Sequence, residues 1–178
     1  MEANIIYNID CLTGLRNLPD DSIDCCVTSP PYFNLRDYGV SGQIGLEDTP
    51  EQYIQKLVGV FHEVRRVLAP AGTLWVNIGD CYAGSGKGAA NLGTDAMKYK
   101  QGTNRGTVGR SAIVKKFDGY KSKDLIGIPW MLAFALRADG WFLRQDIIWA
   151  KPNPMPESMK DRCTKSLAHQ IPEILLRL

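Results

Sequence analysis

Short apolar runs that alternate with helical periodicity restrict this chain to an α/β architecture. Four runs have the length and side chains of strands: Ile5–Ile9, Ile23–Thr28, Thr73–Ile78 and Trp141–Ala150. Helical patterns lie between them, at Leu12–Leu18, from Thr49 to Leu68 and at Leu125–Ala138. Strands that alternate with helices predict a mostly parallel, twisted sheet with helices on both faces.

The length and apolar content predict one domain with its site at one edge of the sheet. The chain has 178 residues, of which 44% are hydrophobic, enough for one packed core. In parallel sheets, ligands bind beyond the carboxyl ends of the strands. Asp10, Ser29 and Asp80 each follow a predicted strand, so we expect them to gather at that edge. Asp10 and Asp80 have a second interpretation, in which each carboxylate caps a helix.

The most informative candidate site follows the second predicted strand, where two consecutive prolines end it. Proline fixes its backbone and lacks the N–H that a sheet needs, so Pro30 and Pro31 leave the sheet rigidly. The Ser29 hydroxyl and the Pro30 carbonyl can then act as fixed hydrogen-bond acceptors, and the rings of Tyr32 and Phe33 can stack on a base. Such acceptors suit the exocyclic amine of a nucleobase. Hydrogen bonds from its two N–H groups to these oxygens make the nitrogen more tetrahedral and free its lone pair. The alternative is a rigid turn without a catalytic role.

Basic charge is concentrated in residues 84–123. This segment has nine Lys or Arg and two Asp or Glu, whereas the whole chain has a net charge of +2. Its eight glycines and lack of periodicity predict a long functional loop. Six of its basic side chains are candidates for phosphate contacts: Lys98, Lys100, Arg105, Arg110, Lys115 and Lys116. The alternative is a solvated linker.

Other features argue against several classes of protein. Five cysteines without a Cys-x-x-Cys pair predict reduced thiols. The amino terminus lacks the blocks of a signal peptide, and no apolar run reaches the roughly 18 to 20 residues that cross a bilayer, so we expect no membrane association. We expect no metal, because the sequence has no cluster of Cys or His. Gly84–Gly88 lacks the spacing of a P-loop, which argues against nucleotide hydrolysis.

Thr28-Ser29-Pro30-Pro31-Tyr32 resembles the (D/N/S)PP(Y/F) catalytic motif of the S-adenosylmethionine-dependent amino-methyltransferases of DNA. Members of that family methylate the 4-amino group of cytosine or the 6-amino group of adenine. The order of the surrounding blocks is similar to the family arrangement in which the catalytic half comes first. These blocks are Asp10-Cys11, Gly72 to Asp80, Ile128-Pro129-Trp130, Gly140-Trp141 and Ile148 to Asn153.

The resemblance implies a Rossmann-like methyltransferase fold and a set of site residues. Ser29, Pro30, Pro31 and Tyr32 would form the catalytic loop, with Asp10 and Thr28 near S-adenosylmethionine. The partner would be double-stranded DNA, contacted by Phe33 and the six basic residues, with the target nucleotide flipped out of the duplex at a cost of a few kcal/mol. The serine form of the motif favours cytosine over adenine. A protein of this kind belongs in a bacterial or phage-type cytoplasm.

One block of the family has no match in this sequence. In this arrangement a later strand and glycine turn, Phe-x-Gly-x-Gly, supplies most of the methyl-donor pocket, and the tail Ser166–Leu178 also departs from the family. We therefore expect residues 1–178 to form a single, partial catalytic domain that alone binds S-adenosylmethionine weakly or not at all. Three explanations stay open: a fragment, a truncated gene product, or a part that a homodimer or a complementing chain completes. An inactive nucleic-acid-binding remnant and an RNA methyltransferase are the alternatives.

Overall fold

The computed structural model describes residues 2, 4–83, 117–122, 124–149 and 173–177. Its elements are α1 (Cys11–Arg16), β1 (Ile23–Thr28), α2 (Pro50–Val67), β2 (Leu68–Gly79), α3 (Ile128–Ala138), β3 (Gln145–Trp149) and β4 (Glu173–Arg177). The strands form one sheet in the order β1-β2-β4-β3. β1 and β2 are parallel, and β4 is antiparallel to both of its neighbours. Three of the four described strands therefore run in one direction, which confirms the predicted α/β sheet.

Helix α2 forms where its sequence signals predict. The Thr49 hydroxyl accepts a hydrogen bond from the backbone N–H of Gln52 at 3.2 Å, and Pro50 takes the first helical position. One face of α2 is buried together with one face of α3 and one face of β2. The shared core contains Tyr53, Leu57, Phe61, Leu74, Val76, Ile78, Ile128, Leu132 and Leu136.

The register of β1 and β2 places their carboxyl ends side by side. Thr28 pairs with Val76, so the residues that follow β1 lie next to Gly79 at the end of β2. β2 begins at Leu68 rather than at the predicted Thr73, because the segment through Gly72 stays in the strand while the register shifts. A Cβ at Gly72 would lie 2.9 Å from the carbonyl oxygen of Ala69, so the irregularity requires glycine there.

Three predicted elements differ from the structure. Ile5–Ile9 is not a strand; among the described residues no strand pairs with it, and Ile6 is 98% exposed. Helix α3 begins at Ile128 rather than Leu125, because Gly127 has a φ of +85°. The strand predicted from Trp141 begins at Gln145, because Trp141 is buried in the core and its N–H bonds to the carbonyl of Leu136. The sequence pattern does not predict β4.

The two faces of the sheet differ in how far helices bury them. Leu74, Val76 and Ile78 face the core formed with α2 and α3. Val27, whose register places it on the opposite face, is 75% exposed. In the described part of the chain, no helix is both long and apolar enough to span a membrane, and no group of three His, Cys, Asp or Glu residues could hold a metal ion.

Candidate active site

Ser29, Pro30, Pro31 and Tyr32 form a tip at the carboxyl end of β1, which we call the Ser29 tip. The Ser29 side chain is exposed, while the two prolines and Tyr32 are half-buried. The tip lies beside the carboxyl end of β2 because of the parallel pairing. The sequence-based placement of Ser29 at the site edge of the sheet agrees with this arrangement.

Tyr53 of α2 supports the Ser29 tip from the core. Its hydroxyl donates a hydrogen bond of 2.8 Å to the carbonyl of Pro31, and its ring is fully buried. Burial is the main reason that the pKa of Tyr53 is raised far above its usual value, so the hydroxyl keeps its proton and remains a donor. The described bond engages the Pro31 carbonyl and not the Pro30 carbonyl, which is the predicted acceptor for a substrate.

A turn at Gly45 supports the tip from a second side. The N–H of Asn34 donates to the carbonyl of Gly45 at 2.6 Å, and the N–H of Gly45 donates to the Glu47 carboxylate at 2.8 Å. Lys56 of α2 forms an ion pair of 2.9 Å with the same carboxylate. Gly45 has a φ of +104°, and a Cβ there would lie 3.0 Å from the carbonyl of Tyr32. Only glycine fits this position without displacing the tip.

The Tyr32 ring lies directly over Gly79. A Cβ at Gly79 would be 2.9 Å from Cε2 of Tyr32, closer than carbon atoms approach in folded proteins. The absence of a side chain at Gly79 therefore makes room for the ring. This contact fixes Tyr32 against the carboxyl end of β2.

Phe33 is a core residue, so its predicted role in stacking on a base is wrong for this structure. It is 2% exposed, and its ring centroid lies 5.3 Å from that of Tyr53 and 5.6 Å from that of Phe117. The chain turns inward after the half-buried Tyr32. Phe33 instead anchors the tip to the core through aromatic contacts.

Asp80 caps helix α3, in agreement with the second of its two interpretations. Its buried carboxylate accepts hydrogen bonds from the N–H groups of Cys81 at 2.8 Å, Gly127 at 2.9 Å and Ile128 at 3.0 Å. Burial raises the pKa of Asp80, and the three N–H groups oppose that rise. Asp80 therefore does not join Ser29 as a group directed at a ligand.

Asp10 caps helix α1. Its carboxylate accepts from the backbone N–H of Thr13 at 3.0 Å and from the Thr13 hydroxyl at 3.1 Å. The bond from the Thr13 N–H is the largest cause of the lowered pKa of Asp10. Asp10 does not follow a strand in the structure, and its carboxylate is already engaged. Thr28 is the half-buried last residue of β1.

The six basic candidates, Lys98, Lys100, Arg105, Arg110, Lys115 and Lys116, lie outside the described residues. Sequence reasoning missed the supports of the tip, which are Tyr53, Gly45 and Gly79. The available signal was the hydroxyl of Tyr53 on an otherwise apolar helix face, since a buried tyrosine hydroxyl needs a partner. The two glycines gave no local signal, because their role depends on contacts with Tyr32.

Comparison with known proteins decides the family. The family model N6_N4_Mtase, described as DNA methylase, matches residues 23–170, most of the chain. The chain belongs to this DNA methylase family. The match includes the Ser29 tip and the strands β1, β2 and β3.

Three curated type II methyltransferases show the extent of this DNA methylase similarity. M.XycI of Xanthomonas campestris pv. cyanopsidis is 50% identical over 93% of this chain and 52% of its own length. M.Cfr9I of Citrobacter freundii is 49% identical over 90% of this chain and 51% of its own length. M.SmaI of Serratia marcescens is 49% identical over 88% of this chain and 51% of its own length. The chain therefore spans about half the length of these relatives.

Solved structures show that this chain has a methyltransferase fold. The cytosine-N4-specific PvuII DNA methyltransferase matches with a TM-score of 0.57 and 16% identity, over 96% of this chain and 47% of that chain. A proposed DNA modification methylase of Thermus thermophilus, solved with S-adenosyl-L-methionine, matches with a TM-score of 0.55 and 21% identity. The match covers 94% of this chain and 52% of that chain. The predicted Rossmann-like methyltransferase fold is confirmed.

Proposed function

We propose that this chain carries the target-base side of a DNA amino-methyltransferase that uses S-adenosylmethionine. Its target is the exocyclic amine of a base flipped out of double-stranded DNA, with cytosine N4 preferred to adenine N6. The observation that carries the proposal is the Ser29 tip, an exposed hydroxyl on a doubly supported Pro-Pro turn at the carboxyl end of β1. Family membership and the cytosine-N4-specific structural neighbour support it.

The Ser29 tip suits an amine whose lone pair is delocalised into a ring. The Ser29 hydroxyl and the Pro30 carbonyl accept hydrogen bonds from its two N–H groups, which makes the nitrogen more tetrahedral and exposes its lone pair. Preorganised dipoles of this kind are worth a few kcal/mol each in a dry site. The Tyr32 ring stacks on the base, a contact worth about 1 to 3 kcal/mol. S-adenosylmethionine would supply a methyl group activated by a positively charged sulfur. The methylated nitrogen is then positively charged and loses its proton after the transfer, so no strong base is needed at Ser29.

The described residues fit the base side of this reaction better than the cofactor side. The Asp10 carboxylate is engaged in capping α1, and the sequence has no Phe-x-Gly-x-Gly turn. Asp10 and Thr28 can line only part of a cofactor site. We propose that a complementing polypeptide supplies the rest, by pairing a strand with the edge of β1 that no described strand occupies and covering the sheet face that exposes Val27.

Transfer of a tritiated methyl group from S-adenosylmethionine to unmethylated DNA tests the proposed function. The chain is assayed alone and mixed with the part of M.XycI that lies outside its match to this chain. We expect transfer in the mixture, with the label in N4-methyldeoxycytidine after digestion of the DNA to nucleosides. Label in N6-methyldeoxyadenosine would overturn the cytosine preference, and no transfer in either assay would overturn the proposed activity. Equal transfer by the chain alone, or dimerisation of the chain, would contradict the complementing polypeptide.

Replacement of Gly79 with alanine tests the placement of Tyr32. The added Cβ would push the Tyr32 ring away from β2, so we expect kcat of the mixture to fall by about 10- to 100-fold. The matched control is Gly59→Ala on the exposed side of α2, where a Cβ meets no atom within 4 Å. The control should keep full activity and gain up to about 1 kcal/mol of stability. Unchanged kcat in Gly79→Ala would exclude a role for the ring position.

A further inference from the structure

Residues 35–44 form a compact loop, which we call the Gln43 loop, directly after the Ser29 tip. The Gln43 side chain holds its two halves together. Its amide oxygen accepts from the N–H of Tyr38 at 2.7 Å, and its amide nitrogen donates to the carbonyl of Arg36 at 2.9 Å. The Asp37 carboxylate accepts from the N–H of Gly39 at 2.8 Å. A loop whose own side chains close it in this way has a defined shape.

The Gln43 loop is fixed to the Ser29 tip at its base. The N–H of Leu35 donates to the carbonyl of Tyr32 at 3.3 Å, and the Asn34–Gly45 hydrogen bond closes the loop ends. The loop and the tip therefore form one continuous structure. A macromolecule that presents a base to the tip would therefore approach a surface that is continuous with the loop.

The Gln43 loop exposes three large apolar side chains to solvent. Leu35 is 49% exposed, Tyr38 58% and Val40 64%. Arg36, also exposed, is the one basic residue of the loop. A hydrogen-bonded loop that holds three large apolar side chains in water needs a function that uses them.

We propose that the Gln43 loop is a wedge that enters the DNA duplex beside the flipped nucleotide. This inference rests on the proposed function, because it takes DNA as the molecule at the Ser29 tip. Removal of a base from the stack leaves apolar base faces in contact with water, and inserted apolar side chains stabilise such disrupted steps. Tyr38 and Val40 fill the space that the base leaves, while Arg36 contacts a neighbouring phosphate.

Fluorescence anisotropy tests the wedge by measuring how tightly the chain binds two DNA duplexes of the same sequence. The measurement requires neither the cofactor nor a known recognition site. One duplex is intact, and the other has a single abasic position, which already offers the space that a wedge fills. We expect the wild-type chain to bind the abasic duplex about tenfold more tightly. The double variant Tyr38→Ala/Val40→Ala should bind both duplexes equally. Gln43→Ala, which keeps the apolar side chains but loosens the loop, should show an intermediate preference.

Phe134→Ala is the matched control, since Phe134 is a 59% exposed aromatic residue on α3. It should keep the tenfold preference. A wild-type chain that binds both duplexes equally, or a double variant that keeps the preference, would overturn the wedge but not the proposed function. A chain that binds neither duplex would contradict DNA as the partner and overturn both.

Discussion

Replacing Ser29 with alanine is expected to lower kcat for methyl transfer by about 100- to 1,000-fold, the usual cost of removing one preorganised polar group. The hydroxyl is exposed at the end of β1 and is one of two acceptors proposed for the amine hydrogens. Its loss leaves the lone pair of the target nitrogen delocalised into the ring. The measurement is single-turnover transfer of tritiated methyl to DNA by the chain mixed with its complementing polypeptide.

Ser29→Thr is the conservative variant for this test, because it keeps a hydroxyl on the exposed side of the tip. It should recover most of the rate that Ser29→Ala loses. DNA affinity should be nearly the same in all three proteins, since the hydroxyl acts on the amine rather than on the duplex. A Ser29→Ala protein with at least a third of the wild-type kcat would show that the hydroxyl is not an acceptor in the reaction.

The sequence predicts those parts of the site that depend on local backbone chemistry. Pro30 and Pro31 fix the exit from β1 wherever the rest of the chain lies. The cap at Thr49 and the apolar spacing of α2 also act over a few residues, so the helix begins where predicted. These features need no knowledge of distant contacts.

The incorrect predictions concern residues whose role is set by distant partners. Phe33 follows Tyr32 directly, and only the fold shows that it turns inward onto Tyr53. Asp80 is a different case: two interpretations stayed open, because Gly127 is far away in sequence and the cap that joins β2 to α3 has no local pattern. Ile5–Ile9 has the composition of a strand, but a strand also needs a neighbour. The described residues provide none.

The supports of the Ser29 tip explain how an exposed turn can be preorganised. The tip is held by the Tyr53 hydroxyl in the core and by the Gly45 turn. The ring of Tyr32 rests on Gly79. Because α2 provides both Tyr53 and Lys56, one rigid helix fixes two sides of the site. This arrangement allows the Ser29 hydroxyl to remain exposed without losing its position.

Asp80→Ala is expected to lower the free energy of unfolding by about 3 to 5 kcal/mol. The carboxylate accepts from the backbone N–H groups of Gly127 and Ile128 at the start of α3 and from that of Cys81, and buried donors without partners cost about 1 to 3 kcal/mol each. Urea denaturation followed by circular dichroism measures the change. Asp80→Asn keeps one acceptor oxygen and should lose less than half as much. A loss below about 1 kcal/mol in Asp80→Ala would show that water replaces the cap.

The pH dependence of the stability of the wild type, compared with that of Asp80→Asn, isolates the contribution of the Asp80 charge. Burial raises its pKa in the folded protein above the usual value of 3.8, so the folded state holds the proton more tightly than the unfolded state. Stability from this group is therefore greatest below pH 3.8 and falls as the pH rises through the folded pKa. Asn cannot titrate, so the stability of wild type relative to Asp80→Asn should decrease over the same interval. An increase with pH would mean that the three N–H groups outweigh burial and that the helix cap favours the charged carboxylate.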